Sequence, residues 1–232
     1  MSSSGTEPRH GSNLILGILG ILTAVFIVVS LAASFLIPYP SNFTPTDNQS
    51  VYLANVDLFW LVLGAGLAAV AFGIPFFAGV TQMVATRSPA LASGTSVLFG
   101  AGFVFVGIDL LFFTGVPYVV SQIATGPAYS ASAAYTSAIA YELTSYLFDI
   151  VMVTILGVAL VIFAWLSWRS ALVPRWLSIV ALIGGVAGAV DFPIEPIGEF
   201  IAFPVLVILC LFIGARLTRW PDASSGGRPS DT

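Results

Sequence analysis

Six long apolar segments constrain the fold of this chain more than any other feature. They cover residues 14–36, 56–84, 92–116, 138–165, 176–190 and 200–217. A helix needs about 20 apolar residues to cross a bilayer, and five segments reach or approach that length, while the short fifth is extended towards Phe192. Only 8% of the residues are charged, against about 25% in soluble domains. The sequence therefore predicts an all-α, polytopic membrane bundle of six transmembrane helices.

The few charged and metal-ligating residues exclude several classes of function. The net charge is −4 and the chain has no lysine, so no basic surface exists to bind nucleic acid. Cys210 is the single cysteine and cannot form an internal disulfide, and the single histidine, His10, lies in the polar N-terminal tail. We therefore expect no nucleic-acid partner, no metal site and no cofactor.

The positions of the arginines indicate the orientation of the bundle. With the N-terminus inside, all seven fall on one side of the membrane: Arg9, Arg87, Arg169, Arg175, Arg216, Arg219 and Arg228. The positive-inside rule then places both termini in the cytoplasm of a multi-pass cell-membrane protein. A re-entrant hairpin formed by the last two apolar segments keeps the same segregation and stays open as an alternative. Residues 1–13 and 218–232 are predicted to be disordered tails around a membrane domain of residues 14–217.

Acidic residues gather towards the opposite, outer end of the predicted bundle. They are Asp57, Asp109, Glu142, Asp149, Asp191, Glu195 and Glu199. At 1.5 Å per residue, Asp109 lies near the outer boundary, and Asp149 lies about 17 Å along the fourth span from its outer start. An acid inside a membrane costs about 2.5–3.5 kcal/mol and therefore indicates function. Without a nearby arginine, we expect these acids to hold protons, to face water, or to meet a cation or a cationic ligand.

Helical periodicity groups the acids with aromatic residues. Asp149 and Glu142 share one face of the fourth span, and Asp109 shares a face of the third with several phenylalanines. We predict that Asp149, Glu142 and Asp109 are catalytic. The predicted substrate-binding residues are Trp60, Phe105, Phe112, Phe113 and Tyr146.

Four further acids are candidates for the rim of this site, and each also has a structural interpretation. Asp57 follows Asn55 at a helix start, where capping is the simpler role. Glu199 lies in the first turn of the last span, where the helix dipole favours an anion. Asp191 and Glu195 fit solvated turn positions equally well.

Two stretches of the sequence carry a resemblance to a known family. Residues 141–149 supply the acid-bearing helix, and residues 168–178 supply a short loop of the form Arg-Ser-x-x-x-Pro-Arg before a glycine-rich helix. In these features the chain resembles a bacterial six-helix integral membrane family of unknown function. That resemblance implies the six-span fold and names no activity. In size and in its intramembrane acids, the chain is also similar to small integral-membrane terpene cyclases.

These features favour an integral-membrane enzyme that acts on a lipophilic substrate. The most concrete hypothesis is proton-initiated cyclisation of an isoprenoid, in which one acid donates a proton, aromatic faces stabilise the carbocation, and another carboxylate accepts the final proton. A proton or cation transporter or channel and a non-catalytic membrane subunit are the alternatives. The expected partners are membrane lipid and a lipophilic small molecule, and the oligomeric state stays open.

Overall fold

The protein is all-helical in the part of the chain that the structure, a computed structural model, describes: residues 10–38, 45–84, 88–124, 131–168, 170–190 and 197–219. Seven helices occur in this part. They are α1 (His10–Phe35), α2 (Pro45–Ala54), α3 (Val56–Val84), α4 (Pro89–Ala124), α5 (Ala131–Ser167), α6 (Arg175–Ala189) and α7 (Ile197–Arg219). The predicted helical class is therefore confirmed.

Five helices are long and apolar enough to cross a membrane. The apolar stretches lie in α1, α3, α4, α5 and α7 and cover Ser12–Phe35, Val56–Val84, Pro89–Gly115, Leu147–Ser167 and Phe200–Arg219. The short apolar helix α6 has 15 residues, which is about 22 Å and less than the roughly 30 Å of a hydrocarbon core. The structure thus supports a multi-pass membrane protein with five candidate spans, and it does not confirm the predicted count of six.

The helices other than α2 pack in a closed ring that follows the order of the chain. Each packs against its neighbours in the sequence α1, α3, α4, α5, α6 and α7, and α7 packs against α1 to close the ring. Because each helix has two flanking neighbours, its remaining faces point either to the bundle interior or outwards. The interior at the end that bears the arginine-containing loops is filled by phenylalanines.

Three of these phenylalanines form the tightest part of the core. Phe77 stacks on Phe99 with ring centroids 4.2 Å apart, and Phe163 meets Phe99 edge to face at 6.1 Å. All three side chains have no exposed surface. Such aromatic contacts combine a large buried apolar area with favourable ring geometry, so they hold α3, α4 and α5 together at this level.

Glycines allow α6 to approach both of its neighbours closely. A Cβ atom on Gly157 of α5 would lie 2.7 Å from the carbonyl oxygen of Gly185, and one on Gly184 would lie 2.8 Å from the Val205 side chain of α7. Small residues at such contacts let two helix backbones touch, and dispersion forces then hold them together. The glycine-rich sequence of α6 is thus used for packing.

Helix occupies much of residues 38–55 and 117–137, which their polar composition predicts to be outer loops. Both segments lie between the candidate spans, so the helices there are compatible with that prediction, and the outer side stays a prediction. The first segment contains α2, and most of the second is taken up by the ends of α4 and α5. With 36 and 37 residues, these two helices are each about 55 Å long and exceed the hydrocarbon thickness. Alanine is frequent in the first turns of α5, and its high helix propensity explains why this polar segment continues the helix.

Candidate functional site

The contact between α4 and α5 sets the relative positions of two intramembrane acids. A Cβ atom on Gly102 of α4 would lie 2.7 Å from the Cγ atom of Leu156 of α5, so these residues are opposite each other. The two helices are consecutive and antiparallel. Moving seven residues outwards along each, two turns or about 10.5 Å, leads to Asp109 on α4 and to Asp149 on α5. The acids therefore occupy matching levels of one helix interface.

Three phenylalanine rings confirm this register. Phe148, next to Asp149, stacks on Phe112 with ring centroids 5.5 Å apart and also contacts Phe105 at 5.9 Å. Phe105 and Phe112 lie four residues before and three residues after Asp109, which is about one turn on either side. Asp109 and Asp149 are both partly buried. The structure thus brings both acids to one level among the three rings.

Asp149 lies on the face of α5 that points into the bundle. Leu156, seven residues later, and Leu160, eleven residues later, share its azimuth to within about 20° and are at most 1% exposed. Asp149 therefore stands at the outer end of an apolar interior stripe. The phenylalanine layer described above lies further along the bundle, towards the arginine end.

The structure describes several other predicted site residues only in part or not at all. Glu142 and Tyr146 belong to α5, seven and three residues before Asp149, and Glu199 belongs to the first turn of α7. The side chains of these three lie outside the described residues, as do Asp191 and Glu195 altogether. Their predicted roles stay predictions.

Two predicted residues of α3 are placed away from the acid pair. Asp57 is exposed, Trp60 is 52% exposed, and Leu61 beside it is 46% exposed. This face of α3 points outwards, and the Trp60 indole N–H donates a hydrogen bond to the Tyr52 hydroxyl. The structure therefore does not bring these residues together with Asp109 and Asp149.

A second apolar cluster, between α2, α3 and α4, includes the predicted residue Phe113. Its ring lies 5.3 Å from that of Phe59, and Phe59 in turn contacts Tyr52 at 5.2 Å. Tyr52 is 2% exposed and also meets Tyr118 at 6.4 Å. Burial raises the pKa of Tyr52 above 10.0, Tyr118 raises it further, and the Trp60 hydrogen bond lowers it. The phenol is therefore neutral at physiological pH.

Phe148 and Tyr52 are two residues that the sequence did not single out. Phe148 is adjacent to Asp149, but its position on a neighbouring helical stripe hid its contact with α4. No signal in the sequence would have found this contact, because it depends on the register of α4 and α5, which is set by packing between residues distant in the chain. Tyr52 lies in one of the predicted outer loops, and residues 45–54 have no apolar helical periodicity that would have indicated its packing.

Comparison with known proteins assigns the chain to a family. The model of a domain of unknown function, DUF4386, matches residues 15–217, which include nearly all of every helix that lines the ring. The chain belongs to the DUF4386 family. This membership confirms the predicted relation to a family of unknown function. No curated protein and no solved structure matches this DUF4386 protein, so the likeness to terpene cyclases gains no support.

The side chains that the α4–α5 contact brings together are carboxyl groups and aromatic rings. Among the side chains that the structure describes, no three histidine, cysteine, aspartate or glutamate residues are grouped to hold a metal ion. Carboxyl groups as a class can donate or accept protons, and the faces of aromatic rings attract positive charge.

Proposed function

We propose that this protein is an integral-membrane enzyme in which Asp109 and Asp149 perform acid–base chemistry on a lipophilic substrate. The observation that carries the proposal is the α4–α5 register, which aligns both acids and flanks them with Phe105, Phe112 and Phe148. General acids and bases contribute about 10²- to 10⁴-fold to a reaction when they are held in place. Glu142, seven residues before Asp149 in the sequence of α5, is the proposed third acid.

The reaction class that suits these groups is the proton-initiated isomerisation or cyclisation of an isoprenoid. The carboxylic acid O–H bond breaks, and the proton forms a new C–H bond with one alkene carbon, using the alkene π electrons. The resulting carbocation is stabilised by the aromatic faces and is attacked by a second alkene of the same chain. Loss of a neighbouring proton to the other carboxylate restores an alkene and balances the reaction.

The apolar packing towards the arginine end supports an enzyme over a transporter or channel. Phe77, Phe99 and Phe163 occupy the interior towards the arginine end with no exposed surface. A proton or ion that reached Asp149 from the acidic end would meet this apolar layer, where an unpaired charge is costly. The acid pair would then be reached and left from one side only. Access from one side is sufficient for an enzyme whose substrate is dissolved in the membrane.

We also propose that the protein resides in the cell membrane with both termini in the cytoplasm. The arginines of the sequence support this orientation. Exposed tryptophans near that end, Trp165 and Trp176, are typical of a membrane–water interface. In this arrangement the acid pair belongs to the outer half of the bilayer. The short helix α6 is then the fifth passage of the chain across the membrane, and α7 is the sixth.

Incorporation of solvent deuterium tests the proposed chemistry whatever the structure of the product. The purified protein, in lipid nanodiscs that contain linear isoprenoid alkenes, is incubated in D₂O buffer, and the extracted lipids are analysed by mass spectrometry. Proton donation from an exchangeable carboxyl should introduce carbon-bound deuterium. The Asp149→Asn variant should lose at least about 100-fold of this activity, while Asp222→Asn, an identical change beyond α7, should retain it. Wild-type rates of incorporation in folded Asp109→Asn and Asp149→Asn proteins would overturn the proposal.

A further inference from the structure

The end of the bundle that bears the arginines has a feature unrelated to the acid pair, at the junction of α6 and α7. Gly184 of α6 faces Val205 of α7, and eight residues earlier Trp176 meets Phe212 edge to face, with ring centroids 4.9 Å apart. The two contacts agree with one antiparallel register. They place the first turn of α6 beside the turn of α7 that contains Phe212.

Three arginines lie near this aromatic pair, towards the end of the bundle. Arg175 is the first residue of α6, and Arg216 and Arg219 follow Phe212 by four and seven residues on the same face of α7. In the antiparallel register, α7 continues past the start of α6, so both residues lie beyond Trp176 along the bundle axis. All three arginines are exposed. The acidic side chains that the structure describes (Asp57, Asp109 and Asp149) belong to the opposite half of the bundle.

The surface next to the arginines is apolar. Trp176 is 45% exposed, Phe212 is 54% exposed, and Ile179 and Ile183 continue the strip along α6 at 44% and 57%. A lipid-facing apolar strip that ends in guanidinium groups is complementary to a phospholipid. The strip matches the acyl chains, and the guanidinium groups match the phosphate. Guanidinium forms paired hydrogen bonds with phosphate oxygens, and basic sites between membrane helices suit anionic lipid head groups.

We propose that the α6–α7 junction binds an anionic phospholipid at the arginine end. The lipid phosphate contacts Arg175, Arg216 and Arg219, and the start of one acyl chain lies against Trp176 and Phe212. This site is on the outside of the ring, whereas the acid pair lies between α4 and α5 towards the other end. The inference is therefore independent of the proposed enzymatic function.

Native mass spectrometry of the full chain tests the proposal. Protein delipidated in detergent is titrated with phosphatidylglycerol, with phosphatidylcholine of the same acyl chains, and with inorganic phosphate. We expect one phosphatidylglycerol to bind preferentially. Arg216→Gln and Arg219→Gln should each weaken its binding about fivefold, since a basic residue near the membrane surface contributes about 1 kcal/mol. Phosphatidylcholine binding should change little in either variant.

The matched control is Arg87→Gln, which removes an arginine from the segment between α3 and α4. It should retain the preference for phosphatidylglycerol, because the two described helices that flank this segment, α3 and α4, do not pack against α6 or α7. An equal loss in Arg87→Gln would show general charge attraction and overturn the proposed site. Competition by inorganic phosphate at concentrations similar to those of the lipid would show that free phosphate is the ligand, and would overturn it as well. Circular dichroism of each variant checks that the bundle is intact.

Discussion

Phe148 of α5 stacks on Phe112 of α4 with ring centroids 5.5 Å apart and an angle of 23° between the ring planes. This contact, three residues beyond Asp109 and one residue before Asp149, holds the two acids at the same level of the interface. An aromatic pair contributes about 0.5–1.5 kcal/mol beyond its buried area. The rings that would stabilise a carbocation therefore also position the two carboxyl groups, one of which would form the carbocation by protonation and the other of which would remove a proton from it.

The acid pair is expected to act as one unit. Asp109→Asn and Asp149→Asn should each abolish turnover, and the double variant should cost little more than either single change, because groups that serve one mechanism are not additive. Glu142→Gln tests the predicted third acid in the same assay. Helix content and thermal unfolding should stay close to wild type, since an amide keeps the volume of the acid. Additive losses that follow a fall in stability would instead indicate a structural pair.

The close approach of α5 and α6 should depend on Gly157. In Gly157→Ala the new methyl group would lie 2.7 Å from the Gly185 carbonyl oxygen, and the backbone must move to admit it. We expect a loss of about 1–3 kcal/mol in the free energy of unfolding, as for other overpacked sites. Unfolding in mixed micelles with increasing SDS measures it. Gly100→Ala is the control, because its Cβ has no atom within 4 Å, and it should show no loss.

The packing of α2 around Tyr52 should become less stable at alkaline pH. Burial raises the pKa of its phenol above the 10.0 of a free tyrosine. The unfolded chain therefore releases this proton first as the pH rises, so the contribution of Tyr52 to stability is complete below about pH 10 and decreases above it. Ultraviolet absorbance of tyrosinate should show a late-titrating component that is lost in Tyr52→Phe. Titration of Tyr52 at the pH of free tyrosine would contradict the buried position.

The arginine-based orientation predicts which positions a membrane-impermeant maleimide reaches. Cysteines introduced at Ser41 and Ser130 should be labelled from outside intact cells, whereas those at Ser88 and Ser224 should be labelled only after lysis. The natural Cys210 is fully buried and should give little background in the folded protein. Labelling at Ser88 in intact cells would reverse the orientation.

The sequence by itself determined the class of the protein. Apolar length and charge are properties of each segment alone, so the five long spans, the arginine-rich end and the opposite acidic end follow from the sequence without any tertiary contact. Periodicity also placed Asp109 beside Phe105 and Phe112, because azimuth depends only on residue spacing along one helix.

Only the tertiary structure decided how the helices meet. The partner of Phe112 depends on the register of α4 and α5, which is set by the Gly102–Leu156 contact across 54 residues of chain. The same holds for Trp60, whose helical face carries an acid in the sequence but points outwards in the bundle. Rotation and register arise from packing between residues distant in the chain, and hydrophobicity in a membrane does not specify them, because lipid and protein interiors are almost equally apolar.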